Sequence, residues 1–132
     1  MSTALVLLAA GLAQATLVVR VEGIVEPAGE IRVAVCDGGF DLAGCPHGQW
    51  RKPASAAEEF RFELTPGRYA VAVFHDLNGN GELDRVPPGL PTEPYGFSND
   101  VGRWAPPSFS GASISVEAGT NVVVVRLGRL LG

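Results

Sequence analysis

Short runs in which apolar and polar residues alternate dominate this chain of 132 residues. Alternation turns successive side chains to opposite faces and is typical of half-buried β-strands. The chain also has 17 glycines and 10 prolines, which favour turns, and no convincing amphipathic helical period. The pattern therefore predicts an all-β fold, an antiparallel β-sandwich of about seven strands.

The order of the alternating runs predicts how some of the strands pair. Thr16–Val25 and Glu30–Cys36 are separated by a turn at Glu26–Gly29, and we expect them to form an antiparallel hairpin. Ala112–Val116 and Asn121–Leu127 are expected to form a second hairpin that closes the domain.

Two further strands and two irregular segments fill the middle of the chain. Ala57–Leu64 alternates, whereas Arg68–Phe74 has small or apolar residues on both faces and is predicted to be a central, covered strand. Asp37–Ala56 and Arg85–Pro107 lack any period, and the second is rich in proline. Both are predicted to be long irregular connections.

The N-terminus has the features of a signal peptide. Ala4–Leu12 is apolar, has the length of a signal core and is too short to span a bilayer, and Ala13-Gln14-Ala15 matches a cleavage site. We therefore expect residues 1–15 to be a signal peptide, residues 16–132 to form one domain, and the protein to be periplasmic or secreted. No basic residue follows Met1, so a first strand or helix of the fold is the alternative.

Charge limits the choice of partners. The formal net charge is −4 and no basic cluster occurs, which argues against nucleic acid as a partner. No transmembrane span is predicted. We expect a monomer whose partner is a protein or a small molecule that the sequence does not identify.

Cys36 and Cys45 are the only cysteines and flank a glycine-rich segment. In an oxidising compartment they would form a local disulfide. Two free thiols, or a zinc site that includes His47, are the alternatives, but a zinc site usually needs four ligands at closer spacing.

An acidic loop follows the predicted central strand. Counted from Asp76, side-chain oxygens fall at positions 1, 3, 5 and 9, and glycine stands at position 6, as in EF-hand calcium loops. Position 7 can add a backbone carbonyl. The predicted calcium ligands are Asp76, Asn78, Asn80, Glu82 and Asp84.

The loop departs from the EF-hand pattern at position 12, where Pro87 replaces the bidentate glutamate. A complete ligand shell would need Glu93 or Asp100 from the following segment. A calcium site built in this way should be weak, with a dissociation constant of about 0.1–1 mM. The alternative is a plain turn in which asparagine and aspartate side chains bond their own backbone.

His75 precedes this loop and shares a strand face with Tyr69, Val71 and Val73. We expect a buried, hydrogen-bonded histidine. Neither Ser98 nor Ser108 lies in a nucleophile-elbow sequence, so no catalytic residue is predicted.

Four sequence elements resemble the bacterial exported family catalogued as domain of unknown function 2141. They are Pro66-Gly67-Arg68-Tyr69, His75-Asp76, Asn78–Asp84 and Tyr95-Gly96-Phe97-Ser98-Asn99. The similarity extends from Thr16 to Leu127, and it implies a small periplasmic or secreted protein of unassigned function with no established catalytic residue. The pattern at Phe62–Val73 also resembles transthyretin-like and Cna-B-like modules, which implies a Greek-key, prealbumin- or immunoglobulin-like topology.

Taken together, these features lead us to expect an exported, non-enzymatic binding or accessory domain with a calcium loop. The candidate ligand surface is Tyr95, Phe97 and Trp104, although these rings would also serve to plug one end of the sandwich. A structural subunit of an envelope assembly is the first alternative. A hydrolase that uses His75 with Asp76 or Asp84 is the second.

Overall fold

The computed structural model describes residues 14–41, 44–81, 85–86, 90–91, 93–102 and 106–128. In this part of the chain the fold is mostly β, with one 3-10 turn at Ser98–Asp100 and one short helix, α1, at Phe109–Ala112. The strands are β1 (Ala15–Glu22), β2 (Glu30–Cys36), β3 (His47–Arg51), β4 (Ala57–Leu64), β5 (Gly67–Asp76), β6 (Arg85–Val86), β7 (Leu90–Pro91), β8 (Tyr95–Phe97), β9 (Ile114–Val116) and β10 (Gly119–Arg126). No described helix is both long and apolar enough to cross a membrane.

The described strands form two main sheets and one small hairpin. Sheet A has three strands in the order β10-β1-β4, with β1 antiparallel to β4 and parallel to β10. Sheet B has five strands: β3, β2 and β5 are neighbours, and the other edge of β5 pairs with β9 near its start and with β8 near its end. β6 and β7 pair only with each other.

Both predicted hairpins are wrong. β1 belongs to sheet A and β2 to sheet B, while β9 pairs with β5 and β10 pairs in parallel with β1. Alternation specifies which side chains face a core but not which strand lies alongside, and strands of both sheets bury one face in the same core. The parallel β1–β10 pair also departs from the all-antiparallel arrangement that we expected.

The two segments predicted to be irregular contain β3 and β8. β3 escaped prediction because it is an edge strand with no buried residue, so it carries no apolar alternation. β8 has only three residues and lies among prolines and glycines.

One hydrophobic cluster takes side chains from both sheets. Sheet A contributes the alternate residues Leu17, Val19 and Val21 of β1 and Phe60, Phe62 and Leu64 of β4; sheet B contributes Ile31, Val33 and Val35 of β2 and Tyr69, Val71 and Val73 of β5. These are the inward positions that the period of two predicts. Burying each large aliphatic side chain stabilises the fold by about 1.5–3 kcal/mol.

The chain passes from β4 to β5, and so from one sheet to the other, through a corner at Thr65 and Pro66. Tyr69 secures this corner, since its hydroxyl donates to the carbonyl oxygen of Thr65 at 2.6 Å. Its ring belongs to the core cluster. A tyrosine four residues after the corner therefore ties the turn to the core.

A close backbone seam joins the end of β10 to β8. Tyr95 and Gly128 exchange two backbone hydrogen bonds, of 2.9 and 3.0 Å. Gly96 lies so near the carbonyl of Arg126 that a Cβ atom at this position would overlap the carbonyl oxygen. Only glycine fits, because the obstacle is backbone.

We predict that Gly96→Ala separates this seam and destabilises the protein by about 1–3 kcal/mol, the usual effect of forcing atoms into a filled space. Gly48→Ala in β3 is the matched control, because a Cβ there meets its nearest atom, the carbonyl oxygen of Val33, at an ordinary 3.7 Å. Urea unfolding of both variants measures the difference. Equal urea midpoints for the two variants would show that the seam does not require glycine at position 96.

Candidate functional site

The acidic loop begins where β5 ends. The amide of Gly79 donates to the carbonyl oxygen of Asp76 at 3.3 Å, and both Gly79 and Gly81 adopt left-handed backbone angles, with φ of 69° and 81°. Glycine adopts this conformation at little cost, so the two glycines allow the chain to curl over the end of the strand. The loop is a built turn over the part that the structure describes, which ends at Gly81.

The carboxylate of Asp76 lies at the centre of the turn and is fully buried. Its Oδ2 accepts from the amide of Gly81 at 2.6 Å and from Nε of Arg32 at 3.1 Å, and its Oδ1 accepts from the amide of Asn80 at 3.2 Å. Arg32 comes from β2 and also contacts Glu30 at 2.7 Å. A buried charge is tolerated when it is paired and hydrogen-bonded, and both conditions hold here.

Two side-chain oxygens of the loop converge on one atom. The amide nitrogen of Asn80 is 3.1 Å from Oδ1 of Asn78 and 3.2 Å from Oδ1 of Asp76. Glu82 and Asp84, the other two predicted ligands, lie outside the described residues. Among the residues that are described, no three His, Cys, Asp or Glu side chains form a group that could hold a metal ion.

Of the two residues expected to complete a ligand shell, Glu93 lies at the loop. It is buried, and its Oε2 accepts from the amide of Leu77 at 2.8 Å. Asp100 lies in the 3-10 turn, where it lines a groove beside β10. Sequence reasoning found Glu93 only as a candidate ligand, whereas the structure gives it a backbone partner.

His75 is fully buried. Its Nε2 lies 2.5 Å from the carbonyl oxygen of Ala28, so this nitrogen carries the proton and donates it. Its Nδ1 has no hydrogen-bond partner among the described residues. The ring therefore anchors the segment before β2 to the end of β5.

The aromatic residues predicted as a ligand surface differ in exposure. Tyr95 is buried, and its hydroxyl donates to the carbonyl oxygen of Gly102 at 2.8 Å. Phe97 is half-buried and packs edge-on against Phe40, with ring centroids 5.2 Å apart, and Phe40 in turn contacts Phe109 at 6.2 Å. Trp104 lies outside the described residues. Phe40, Phe97 and Phe109 therefore form a cluster of three rings, and this cluster includes one of the predicted residues, Phe97.

The predicted cysteine pair is at bonding distance. The sulfur atoms of Cys36 and Cys45 are 2.04 Å apart. The bond closes a short excursion between the end of β2 and β3, and within that excursion the amide of Asp37 donates to the carbonyl oxygen of Gly44 at 2.7 Å.

Sequence reasoning missed the role of Arg32 at the loop, and it considered Ser98 only as a nucleophile and as part of a family element. Arg32 pairs with Asp76 and lies 5.3 Å from the exposed ring of Trp50 on β3. Ser98 is buried, and its Oγ accepts from the amide of Val71 at 2.9 Å and donates to the carbonyl oxygen of Ala112 at 2.6 Å. The available signal for Arg32 was a charged residue between the apolar positions Ile31 and Val33 of β2.

The fold and this site define a small, mostly β domain in which a buried aspartate organises the loop after the central strand of the larger sheet. A family model described as "Uncharacterized protein conserved in bacteria (DUF2141)" matches residues 19–124. The chain belongs to that family, as its sequence elements predicted. No curated protein and no solved structure matches the chain.

We predict that Asp76→Ala destabilises the protein by about 3 kcal/mol, because it removes the carboxylate that pairs with Nε of Arg32 and leaves the amide of Gly81 without its acceptor. Glu117→Ala, which removes an exposed carboxylate, should change stability by less than about 0.5 kcal/mol. Equilibrium unfolding in urea compares the two. A similar small loss in both variants would show that Asp76 does not organise the loop.

Proposed function

We propose that the protein is an exported, non-enzymatic binding or accessory domain in which the loop Asp76–Asp84 binds calcium. We also propose that its two sheets stack as a β-sandwich with Greek-key, prealbumin- or immunoglobulin-like connections. The core cluster that receives alternate side chains from both sheets supports the sandwich. The observation that carries the calcium proposal is the spacing of oxygen-bearing residues along the loop, Asp76, Asn78, Asn80 and Asp84, with Gly81 at the turn.

The described contacts of Asp76 use three of the roughly four lone-pair directions of a carboxylate. One lone-pair direction remains, and we propose that calcium takes it together with Asn78, Asn80, Glu82 and Asp84. Hard oxygen ligands of this kind suit calcium better than zinc or copper. Arg32 already neutralises Asp76, so the site would be weak, with a dissociation constant of about 0.1–1 mM.

Two observations support a non-enzymatic role. The ring of His75 is fully buried and bonded to backbone, whereas a general base has to come within hydrogen-bond reach of its substrate. The Asp76 carboxylate accepts three donors of the protein itself. His75 and Asp76, two of the three residues that the hydrolase alternative names, are thus engaged with backbone groups around the end of β5.

A ligand surface would lie near Phe97, at the cluster formed with Phe40 and Phe109. These rings are half-buried, so each keeps part of its face in contact with solvent. Tyr95 would support the surface from below through its bond to Gly102. Trp104 follows in the chain and remains part of the proposal.

A thermal unfolding experiment tests the calcium site. The midpoint should rise by several degrees between EDTA and 10 mM Ca²⁺, because binding at this affinity adds about 1.4–2.7 kcal/mol to the native state, and it should rise less with Mg²⁺. Asp84→Asn should abolish the rise. Glu117→Gln, which removes one charge elsewhere, should leave it intact.

If calcium produces no shift up to 10 mM, the loop is a plain turn held by Asp76 and the metal is absent from the function. A rise that persists in Asp84→Asn would place the cation elsewhere on the chain.

Export predicts a defined N-terminus. When the chain is produced in a bacterial host with its first residues intact, the protein recovered from the periplasm should begin at Thr16, as intact mass and N-terminal sequencing would report. Cleavage there removes Ala15, the buried first residue of β1, and leaves the rest of that strand in place. A protein that retains Met1 and stays in the cytoplasm would contradict export.

A further inference from the structure

The free edge of β10 can be located from hydrogen bonds. At the two ends of the β1–β10 ladder, Gly119 donates to the carbonyl oxygen of Gln14 and Leu127 donates to that of Glu22. Odd-numbered residues of this stretch therefore turn their backbone groups towards β1. Even-numbered residues turn their backbone groups away from β1. Gly128 follows this rule, because it exchanges its backbone hydrogen bonds with Tyr95.

Only part of this edge lacks a neighbouring strand. β8 covers the end of the stretch, where Gly96 meets the carbonyl of Arg126. The even residues before it are Thr120, Val122 and Val124, of which Val122 and Val124 line a groove of about 500 Å³. The far side of the groove is formed by Asn99, Asp100, Ile114 and Ser115, and no described strand lies within it.

The opposite edge of sheet A, on β4, is covered. Gln49 of β3 donates through Nε2 to the carbonyl oxygen of Arg61 at 2.6 Å, and the guanidinium of Arg51 donates to the carbonyl oxygen of Glu59. Charged residues also alternate along β4. Proteins commonly protect free edges in these two ways.

β10 has neither protection. It carries no charged residue and no proline from Gly119 to Val125, and Val122 and Val124 expose 65% and 39% of their surface. An uncharged, valine-rich edge with unpaired backbone groups is a template for another strand.

We propose that this edge pairs antiparallel with β10 of a second copy of the chain, which joins two copies of sheet A into one sheet across a two-fold axis at Val122. The open run is symmetric about Val122, so Val122 meets Val122 of the second copy and Thr120 meets its Val124. Every open amide and carbonyl of Thr120, Val122 and Val124 then has a partner.

A second copy of the chain fits this edge because the open run of β10 can pair with an identical run. In this register the nearest charged side chain, Arg126, stands opposite Ala118 of the second copy, so no like charges meet. The interface is smaller than the roughly 800 Å² per partner of a stable complex, and the dimer should be weak. This inference does not rest on the calcium proposal, and it replaces the monomer expected from the sequence.

Sedimentation velocity of the whole protein, from micromolar to millimolar concentration, tests the dimer. The sedimentation coefficient should rise with concentration to that of a dimer. Val122→Lys should weaken association at least tenfold, because a charged side chain then meets its own copy across the axis. Val25→Lys is the matched control, since Val25 is at least as exposed, at 73%, but lies between β1 and β2.

A cysteine pair tests the register. In Val122→Cys the two Cα atoms would lie about 5.5 Å apart, within the range of a disulfide, and mild oxidation should give a covalent dimer. In Val124→Cys the corresponding atoms would lie about 13 Å apart along the strands, and cross-linking should fail. A monomer at millimolar concentration, a dimer unaffected by Val122→Lys, or equal cross-linking of both cysteine variants would overturn the proposal.

Discussion

The backbone of β5 has to be hydrogen-bonded on both sides because the strand is largely buried, and most of the architecture around the site follows from this need. On one side β2 suffices. On the other side, four short segments supply the hydrogen-bond partners of β5. β9 pairs with its first residues, and the hydroxyl of Ser98 accepts from the amide of Val71. β8 pairs with the next residues, and the carbonyl oxygen of Pro94 accepts from the amide of His75. The path of the chain after the loop is thereby fixed, although it contains little regular structure.

The need of backbone amides for hydrogen-bond acceptors also explains why the loop is built around the carboxylate of Asp76. Where β5 ends, the amides of Leu77, Asn80 and Gly81 have no strand beside them, and acidic side chains accept from all three. Arg32 supplies the positive charge that the buried Asp76 requires, so hydrogen bonds and an ion pair of the protein hold the described part of the loop, up to Gly81. Calcium, in the function that we propose, adds to an existing turn rather than creating one, and its contribution to stability is correspondingly small.

Local features of the fold were predictable and distant ones were not. The period of two placed Leu17, Ile31 and Phe60 in the core because it depends only on neighbouring residues. Partner choice did not follow, since the same alternation suits either sheet. The Arg32–Asp76 pair links residues 44 positions apart, and no local pattern indicates it. The glycine of the Tyr95–Asn99 element was visible as a family feature, but its reason, the carbonyl of Arg126, is a contact that only the folded chain supplies.

The pairing of β1 with β10 determines when sheet A can form during folding. The first described strand, β1, is the middle strand of its sheet, and one of its two neighbours is the last described strand, β10. Thr16 and Asn121, 105 positions apart, are therefore in contact. Contacts between such distant residues form late and slow the acquisition of structure. A polypeptide that is threaded through a membrane from its N-terminus, as we propose for this one, therefore remains unable to complete sheet A until nearly all of it has crossed. On that proposal, the topology would keep sheet A open during passage and delay its closure to the far side.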